Sequence, residues 1–555
     1  MRLPGQSSTV TELAAAFRLG RATGSPEPSS DVVTGATQDS RRVQRGDLYV
    51  AVPGRRAHGA QFAAQAVAAG AVAVLTDPAG VAHLADTVRA AVPVLVVDSP
   101  RVVIGPLSAA LHGHPAEHLA VLGVTGTNGK TTTTYMVHHL LRCAGIPAGL
   151  IGTVAMRTLD QDVPSLLTTP EAPDLQRTLA EMRRDGVDTV ALEVSSHALA
   201  LHRVDGTRFS VVAFTNFSRD HLDFHGSMSE YFDAKLRLFT GGFAHDAVVC
   251  VDDEAGVRVA ERARSAGLTV MTVASRRAPG VDTWIGPVTA ATDGSQRFEV
   301  HGPFGPQGRH ALVGVDLPMP GRYNTVNAVI ALTAAHRLLL RRQGTGSTAE
   351  SVAVPDIAAL ASYLAAFPGV PGRMQRIVDP AAEGGTPLVV VDYAHTPDAL
   401  TTVLSALRPA TRGRLVAVVG AGGERDAGKR AAMGAAAAAA ADVVVVTDDN
   451  PRSEDPAAIR AAVLEGATAA GRRAGDVVEV ADRAAAIARA LATCSGPDDT
   501  VVVSGKGHEL GQQYGDGPMM PFDDRVVSAE ALHAWAVEAG LVRQPVGAGG
   551  LGVSG

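Results

Sequence analysis

The chain has 555 residues, of which 46% are hydrophobic and 19% are charged. At about 150 residues per domain, this length predicts three or four domains, and the composition is typical of a globular protein rather than a disordered or fibrous one. The 49 basic and 56 acidic side chains give a formal net charge of -7 without a long basic block. This balance argues against a nucleic-acid partner and favours small-molecule partners.

The cysteines Cys143, Cys250 and Cys494 are widely separated and have no CxxC spacing. They predict neither a disulfide framework nor a cysteine zinc site, which fits a reducing compartment. The first twenty residues hold no sustained apolar core and no run of 18 apolar residues occurs, so we expect neither a secretory signal nor a membrane span. The expected location is the cytoplasm, and the expected oligomeric state is a monomer.

Short apolar segments alternate with alanine-rich stretches that are typical of helices. This alternation predicts α/β domains with mainly parallel sheets, whose ligands bind at the carboxyl ends of the strands. The alanine run 435–441 is followed by VVVV and predicts a helix packed on a sheet. The predicted strands cover residues 71–77, 92–98, 119–126, 187–194, 209–216, 387–394, 414–423, 441–449 and 499–507.

Two segments have the weak signal of a domain boundary, one at residues 113–117 and one in the polar stretch 341–355. They predict three domains, and the glycine-rich end of the chain is expected to be a disordered tail. The predicted domains are residues 1–115, 116–345 and 346–545, and the tail is residues 546–555.

Residues 119–134, LAVLGVTGTNGKTTTT, place a strand before a glycine-containing turn, a lysine and four threonines. The N–H groups of such a turn and of the next helix can hold phosphate oxygens, with Lys130 on the β and γ phosphates and Thr131 on Mg²⁺. Val124 stands five residues before Gly129, so the strict GxxxxGK[ST] pattern is not met and the loop is a variant. We predict ATP or GTP binding through Gly126, Thr127, Asn128, Gly129, Lys130, Thr131 and Thr132.

Further segments follow the phosphate loop in a definite order. They are EVSSHAL (193–199), TNFSRDHLDFHGS (215–227), YFDAK (231–235), GRYNTVNA (321–328), PGRM (371–374), VDYAHTPDAL (391–400) and DNPR (449–452). Taken together, from about residue 35 to residue 540, the chain resembles the Mur ligase family, and within it the members that add diaminopimelate. The resemblance implies an N-terminal UDP-binding α/β domain, a central P-loop ATPase-like domain with a parallel sheet, and a C-terminal Rossmann-like α/β domain.

The resemblance also implies an ATP-dependent acid–amino-acid ligase of peptidoglycan precursor synthesis. In such a ligase, ATP phosphorylates the free carboxylate of UDP-N-acetylmuramoyl-L-alanyl-D-glutamate, and an amine of diaminopimelate attacks the acyl phosphate. Because this step brings anions together, it needs cations and Mg²⁺ rather than a covalent nucleophile. By correspondence with the family, the catalytic and metal-binding roles fall on Lys130, Thr131, Glu193, His221 and Lys235, with Lys235 carbamylated.

Binding roles follow from the same correspondence. Additional ATP contacts fall on Asn324, Arg373, Asp392 and His395, which implies domain closure over the nucleotide. The segment 37–62 resembles the family's UDP-binding module, although His58, Leu167 and Leu201 depart from the residues usual in the family. The implied contacts to the UDP-linked muramyl dipeptide are Gln38, Ser40, Arg55, Arg56, Ala57, Thr168, Thr169, Ser195, Leu201 and Arg203.

The choice of amino acid is assigned to the DNPR segment. Diaminopimelate differs from lysine by a distal carboxylate, and an arginine matches a carboxylate with two parallel hydrogen bonds. Arg452 is therefore expected to bind this carboxylate, and Glu509 the distal ammonium group. The implied pocket comprises Arg425, Asp449, Asn450, Pro451, Arg452, Gly505 and Glu509. DNPR also fits a turn that caps the next helix, since Asn-Pro favours turns.

Three alternatives stay open. They are a sister ligase that adds lysine, glutamate or a dipeptide, a folylpolyglutamate synthase, and a regulatory nucleotide switch that makes no bond. The DSRRV segment argues against the folate enzyme, which lacks a UDP-binding module, and the DNPR and SGKGHE segments argue against the switch, which needs no amino acid pocket. The sequence leaves open whether the meso or the LL isomer of diaminopimelate is used.

Overall fold

The computed structural model describes most of the chain as two compact units. The first comprises Met1–Ile285, Val300–Val313 and Val326–Tyr363, and the second comprises Gly286–Glu299, Gly314–Thr325 and Leu364–Gly555. The described residues are 8–54, 57–159, 161–165, 167–304, 308–342, 354–382, 384–424, 426–469 and 473–542.

The N-terminal region forms a five-stranded sheet with helices. Its elements are β1 (Ser8–Thr9), α1 (Val10–Ala16), β2 (Gly20–Arg21), β3 (Val32–Val33), β4 (Gly35–Thr37), β5 (Asp47–Val50), α2 (Ala63–Ala68), β6 (Ala73–Thr76), α3 (Pro78–Val81), α4 (Asp86–Ala91), β7 (Val94–Val96) and α5 (Pro100–Leu111). The strand order is β2-β7-β6-β5-β4, in which β4 to β7 are parallel and β2 is antiparallel. All residues of β5 and β6 are buried, as in parallel sheets that are covered on both faces.

The central region contains the largest sheet. Its elements are β8 (Ala120–Thr125), α6 (Lys130–Cys143), β9 (Ala148–Ile151), β10 (Ala155–Arg157), β11 (Asp162–Pro164), α7 (Ala172–Arg184), β12 (Thr189–Glu193), α8 (Ser196–Ala200), β13 (Phe209–Phe214), α9 (Leu222–His225), α10 (Met228–Leu236), β14 (Ala244–Cys250), α11 (Glu254–Ser265), β15 (Thr269–Ala274), β16 (Thr283–Ala290), β17 (Gln296–Gly302), β18 (Ala311–Leu317) and α12 (Tyr323–Arg342). The strand order is β11-β10-β9-β12-β8-β13-β14-β15-β16-β17-β18.

Strand β8 lies between β12 and β13, and all three are parallel. Every residue of β8 is buried. The carboxyl ends of these strands therefore meet at one edge of the sheet, where the phosphate loop follows β8, Glu193 ends β12 and Thr215 follows β13. The topology thus gathers three of the sequence segments at one place.

The C-terminal region adds a six-stranded sheet. The remaining elements are α13 (Ile357–Tyr363), β19 (Gln375–Ile377), β20 (Leu388–Asp392), α14 (Pro397–Leu407), β21 (Leu415–Val419), α15 (Lys429–Ala440), β22 (Val443–Val446), α16 (Pro456–Thr468), β23 (Asp476–Glu479), α17 (Arg483–Leu491), β24 (Thr500–Ser504), β25 (Gly511–Gln512), β26 (Met520–Pro521) and α18 (Asp524–Glu538). The order is β19-β20-β24-β21-β22-β23, parallel except for β19. Strands β25 and β26 form a separate antiparallel pair.

The predicted α/β architecture is confirmed. Each of the nine predicted strands contains an observed strand, and helix α15 covers the alanine run up to Ala440. Small residues are needed there, because a Cβ at Gly434 would lie 1.9 Å from the Val463 carbonyl oxygen on α16. The three sheets fall inside the three predicted domain ranges, whose boundaries stay predictions, and the predicted tail lies outside the described residues. Among the helices described, none is long and apolar enough to cross a membrane.

Candidate active site

The phosphate loop joins β8 to α6 through two glycines in left-handed backbone regions. Gly126 has a φ of 147° and Gly129 a φ of 84°. A Cβ at Gly126 would lie 1.9 Å from the Thr215 hydroxyl oxygen, and one at Gly129 would lie 2.4 Å from the side-chain oxygen of Asn327. Both positions therefore require glycine for two reasons, the backbone angle and the space.

The segment after β13 holds this loop in shape. The Thr215 hydroxyl donates to the Asn128 carbonyl at 2.6 Å, and Asn216 accepts hydrogen bonds from the backbone N–H groups of Thr127 and Asn128, both at 2.9 Å. The Thr127 hydroxyl also lies 3.1 Å from the Tyr231 hydroxyl. The TNFS segment is thus the support of the phosphate loop, a role that the motif alone did not predict.

Two lysines converge on one carbonyl oxygen of the loop. Lys130 Nζ donates to the Gly126 carbonyl at 3.0 Å and to the Thr127 carbonyl at 2.8 Å. Lys235 Nζ donates to the same Gly126 oxygen at 2.8 Å, and its side chain is 1% exposed. Burial lowers the pKa of Lys235 well below its ordinary value, and the charge on Lys130 lowers it further. The Lys235 amine is therefore biased toward its neutral, nucleophilic form.

Glu193 is fully buried at the end of β12 and is held by hydroxyl and amide groups. Its carboxylate accepts hydrogen bonds from the Thr131 hydroxyl at 3.0 Å, the Thr153 hydroxyl at 3.1 Å and the Thr153 N–H at 2.8 Å. A Cβ at Gly152 would lie 2.3 Å from Glu193 Oε1. The structure therefore brings Thr131 and Glu193 together as two oxygen donors, the ligand type that Mg²⁺ prefers.

His221 lies in an aromatic cluster beside the loop. Its ring centroid is 4.7 Å from that of His197 and 6.0 Å from that of Tyr231. Burial lowers the pKa of His221, with Asp220 opposing and the charges on Lys130 and Lys235 adding to the decrease. The residue has a φ of 51°, which is uncommon outside glycine and marks a constrained position. Across the described residues, no group of three or more His, Cys, Asp or Glu side chains is arranged to hold a metal by itself.

The residues assigned to the muramyl dipeptide continue directly from Glu193. The Thr169 hydroxyl donates to the Glu193 carbonyl at 2.8 Å and accepts the Ser195 N–H at 3.1 Å, and Arg203 donates to the Thr169 carbonyl at 3.2 Å. Thr168 accepts a hydrogen bond from the hydroxyl of Thr153 at 3.1 Å. Arg203 Nε is buried without a partner among the described residues. Four of the predicted residues thus form one network with the phosphate loop, and Leu201 follows α8 beside them as its C-cap.

The predicted uridine diphosphate contacts are only partly described. Gln38 has a buried amide nitrogen with no hydrogen-bond partner within the described chain, as expected for a group that awaits a ligand. The Ser40 hydroxyl donates to Gln65 Oε1 at 3.0 Å. Arg55 and Arg56 lie outside the described residues, and Ala57 directly follows them. His58 pairs with Asp77 at 3.1 Å and accepts the Ala60 N–H at 3.0 Å, which gives this departure from the family pattern a structural role.

Three of the further nucleotide residues surround Tyr393 in the second unit. The Arg373 guanidinium lies 4.6 Å from the Tyr393 ring centroid, and its Nε is a buried donor without a partner in the described chain. Asp392 accepts the N–H groups of Met374 at 2.7 Å and Ala394 at 2.8 Å, and burial raises its pKa. His395 Nδ1 lies 2.7 Å from the Tyr393 carbonyl, and burial lowers its pKa.

Asp392 therefore positions the PGRM segment. Arg373, in the same segment, keeps its Nε without a hydrogen-bond partner among the described residues. Asn324 is buried in the same unit, and its amide donates to the Pro320 carbonyl at 2.7 Å, ahead of α12. Its side chain thus also has a local structural contact.

The residues assigned to the amino acid pocket lie on two loops, after β22 and after β24. Asn450 Nδ2 donates to Glu509 Oε2 at 2.9 Å, which joins the two loops. A Cβ at Gly505 would lie 2.5 Å from Asp449 Oδ2, so glycine is required beside this buried carboxyl, whose pKa is raised by burial. Pro451 is buried beside them. Arg425 lies outside the described residues.

Arg452 has an unusual backbone for an arginine. Its φ is 53°, its N–H donates to the Gln513 carbonyl at 3.0 Å, and its guanidinium donates to the Gly423 carbonyl at 2.5 Å. A non-glycine residue in the left-handed region costs about 1 to 3 kcal/mol and is common at functional sites. The turn interpretation of DNPR and its binding interpretation are therefore compatible, since the turn fixes the direction of the arginine.

Two buried cations support these loops and were not predicted. Arg483 forms a fully buried ion pair with Asp524 at 2.7 Å and donates to the carbonyls of Ser504 at 2.9 Å and Asp448 at 3.3 Å. These carbonyls directly precede Gly505 and Asp449. Lys506 is also fully buried. The SGKGHE segment contains Lys506, but a sequence letter does not tell whether a lysine points inward or toward solvent.

The loop of Lys506 also contacts the PGRM loop through backbone. A Cβ at Gly372 would lie 2.2 Å from the Gly507 carbonyl carbon, and a Cβ at Gly507 would lie 2.8 Å from the Gly372 oxygen. Gly372 has a φ of 64° and Gly507 a φ of 58°. Only glycine at both positions allows this approach.

Comparisons with known proteins agree with this arrangement. Family models described as "Mur ligase family, catalytic domain", "Mur ligase middle domain" and "Mur ligase, glutamate ligase domain" match residues 32–112, 124–335 and 372–507. The UDP-N-acetylmuramoyl-L-alanyl-D-glutamate--2,6-diaminopimelate ligases of Streptomyces coelicolor and Corynebacterium efficiens are 45% and 46% identical to the chain, over 91% and 94% of its length and 94% of each relative. A solved structure of a UDP-N-acetylmuramoyl-L-alanyl-D-glutamate--2,6-diaminopimelate ligase is 31% identical, with a TM-score of 0.65 over 95% of this chain and 99% of that one. The predicted resemblance is confirmed, and the chain belongs to the Mur ligase family.

Proposed function

We propose that this chain is an ATP-dependent ligase that joins diaminopimelate to the free carboxylate of UDP-N-acetylmuramoyl-L-alanyl-D-glutamate in peptidoglycan precursor synthesis. The observation that carries the proposal is the continuous hydrogen-bond network from the phosphate loop through Thr131 and Glu193 to Thr169, Ser195 and Arg203. Phosphorylation of a carboxylate requires the donor phosphate and the acceptor carboxylate to meet. The network supports the proposal because it joins the residues assigned to the phosphate donor to those assigned to the acceptor carboxylate.

The lysines supply the charge that this step needs. ATP and the acceptor carboxylate are both anionic, so catalysis depends on fixed positive charge and positioning. Lys130, which donates to the Gly126 and Thr127 carbonyls within the phosphate loop, is the candidate to bind the β and γ phosphates. Arg203 pairs with Glu171 at 2.9 Å through its terminal nitrogen, while its buried Nε has no partner among the described residues, and it is the candidate to hold the acceptor carboxylate.

Mg²⁺ fits the oxygen donors at this site. Thr131 and Glu193 would hold it, with the neutral imidazole of His221 as a further candidate ligand. When bound, the ion neutralises phosphate charge and orients the phosphoryl group. Thr153 keeps the Glu193 carboxylate in place through its hydroxyl and its N–H.

Two lysine side chains donate to the Gly126 carbonyl oxygen, and carbamylation of Lys235 would convert one of these amines into a carbamate. The neutral amine attacks CO₂, a C–N bond forms as one C=O π bond opens onto oxygen, and the nitrogen loses one proton to solvent, so a neutral amine becomes an anionic carbamate. The burial and lowered pKa of Lys235 favour this reaction. The resulting carboxylate would lie beside Lys130 and could support Mg²⁺.

The second unit supplies the remaining specificity. Arg373, with its buried free donor, and His395 are candidates for ATP contacts. Arg452 is assigned to the distal carboxylate of the amino acid and Glu509 to its ammonium group. Lysine lacks the distal carboxylate that Arg452 would bind, and a folylpolyglutamate synthase lacks a UDP-binding module.

A substrate-omission assay tests the proposal. The purified chain is supplied with ATP, Mg²⁺ and the UDP-linked dipeptide, together with meso-diaminopimelate, LL-diaminopimelate, lysine, glutamate or D-alanyl-D-alanine, and ADP release and product mass are measured. We expect an amide product only with a diaminopimelate isomer. A product with lysine alone identifies the sister ligase, and nucleotide hydrolysis without any amide product rejects ligase activity.

A further inference from the structure

Lys506 is a fully buried lysine beneath the loops that carry the proposed amino acid pocket. It follows β24 by two residues, within the SGKGHE segment. Removing an ammonium group from water is costly unless hydrogen bonds and opposite charge replace the water. The contacts of Lys506 therefore identify what the charge is used for.

All three hydrogens of the Lys506 ammonium group have acceptors in the protein. Nζ lies 2.6 Å from the Gly511 carbonyl, 3.2 Å from Asn450 Oδ1 and 3.3 Å from Glu509 Oε2. An ammonium group has three donors and no acceptor. Lys506 thus has no donor left for a substrate atom and acts on the substrate only through these partners.

These contacts fix the side chains of Asn450 and Glu509. Because Lys506 can only donate, it faces the oxygen of the Asn450 amide, which also accepts the Gln513 N–H at 3.0 Å. The Asn450 nitrogen is then directed to Glu509 Oε2 at 2.9 Å. Both hydrogen bonds to Glu509 end on Oε2, and Oε1 accepts none from the part of the chain that the structure describes.

We propose that Lys506 is a positioning residue for amino acid selection, which fixes the Asn450 amide and holds Glu509 so that Oε1 is available to the ammonium group of the incoming amino acid. The inference rests on the proposed function. Without Lys506, the Asn450 amide is free to rotate and Glu509 to move. The effect should therefore concern the amino acid and not ATP or the UDP-linked dipeptide.

The test is a double-mutant cycle in the full chain. Lys506→Met, Glu509→Gln and the double variant are compared with the unchanged protein by measuring kcat and KM for diaminopimelate, ATP and the UDP-linked dipeptide. We expect Lys506→Met to raise KM for diaminopimelate at least about tenfold, with the other two KM values within about twofold. The loss in the double variant should be smaller than the product of the two single losses, because residues that act through a shared contact are not additive.

Arg342→Met is the matched control. Arg342 is also buried and pairs with Asp188 at 2.7 Å in the first unit, whereas SGKGHE belongs to the second. Its replacement should lower the melting temperature and leave the three KM values in their original ratio. If Lys506→Met does not fold, the double variant, which removes both charges together, supplies the comparison with Glu509→Gln.

The outcomes separate the two proposals. If the unchanged protein forms no amide with diaminopimelate, the proposed function fails. If it forms the amide but Lys506→Met changes all three KM values in parallel, changes none, or adds its full effect to that of Glu509→Gln, the positioning role is overturned.

Discussion

At the phosphate loop, Lys130 and Lys235 donate to the same carbonyl oxygen of Gly126, whereas beneath the amino acid loops Lys506 is paired with Glu509 and Arg483 with Asp524. The first region brings two lysine side chains onto one oxygen, whereas in the second each of the two buried cations pairs with a carboxylate. The proposed nucleotide phosphate and the proposed carbamate on Lys235 would both add negative charge to the first region. In the second region the buried cations serve as structural supports, and Arg452 is assigned to the substrate.

The largest expected effect concerns the phosphate loop. Lys130→Ala removes the cation assigned to the β and γ phosphates, and we expect turnover to fall at least about a hundredfold, comparable to the loss of one preorganised oxyanion donor. ADP release under saturating substrates measures this. The melting temperature provides the control for folding, and nearly unchanged turnover would show that this loop is not the catalytic ATP site.

Lys235→Ala tests whether Lys235 carries the proposed carbamate. We expect activity to be lost and partly restored by a small added carboxylate such as acetate, which occupies the position of the carbamate. Addition of ¹³C-labelled bicarbonate to the unchanged protein should give a carbamate carbon signal in the NMR spectrum that the variant lacks. An ordinary ammonium group at Lys235 in a well-ordered crystal with Mg²⁺ bound would count against this assignment.

Arg452→Ala tests the assignment of Arg452 to the distal carboxylate of diaminopimelate. A hydrogen bond to a charged group contributes about 1.5 to 3 kcal/mol, and each 1.4 kcal/mol corresponds to a factor of ten. We therefore expect kcat/KM with diaminopimelate to fall about tenfold to a hundredfold, while the poor use of lysine changes little and ATP affinity stays the same.

Because the φ of Arg452 is 53°, alanine at this position keeps the backbone strain that the arginine already carries. Arg452→Gly removes the guanidinium and relieves that strain, and is the matched comparison. Equal losses with both amino acids in both variants would make Arg452 a structural residue of the turn.

The smallest effect is on stability, at the half-buried His138 within helix α6, which follows the phosphate loop. Burial lowers the pKa of His138 to about 4, from an ordinary value of 6.5, and its Nε2 has no hydrogen-bond partner within the described chain. Between these two pKa values the unfolded chain binds more protons than the folded one, so stability is lost as the pH falls from 6.5 toward 4.

His138→Gln removes this titration. We expect the melting temperature of the variant to fall less steeply with decreasing pH than that of the unchanged protein, by about 3 °C or more at pH 4.5. Calorimetry at several pH values measures the difference. Parallel curves would show that His138 is solvated in the folded protein.

The sequence was most informative where the chemistry is local. The phosphate loop was predicted because its strand, glycines, lysine and threonines are contiguous, and the family segments located Glu193, Lys235 and Arg452 by their order. Thr153 was not predicted, because it reaches Glu193 from 40 positions away and a single threonine carries no signal. The burial of Lys506 and the left-handed backbone of Arg452 depend on tertiary packing, which no local pattern encodes.

Strands such as β9, β14 and β15 were also missed. Strand β9 has four residues, and β15 begins with an exposed Thr269 and two half-buried residues, so neither gives a long uniform apolar run. Strand β9 is fixed in the sheet by pairing with β12, which is distant in sequence, and β15 by pairing with β14, from which a helix separates it. Non-local pairing of this kind decides strands that propensity leaves ambiguous.

The approach of Gly372 to Gly507 has a mechanical consequence. With no room for even a methyl group between them, the PGRM loop and the SGKGHE loop cannot slide past or press further into each other. The main chain next to Arg373 and the main chain that leads to Glu509 are therefore packed directly on each other, and a side chain at either glycine would force the two loops apart.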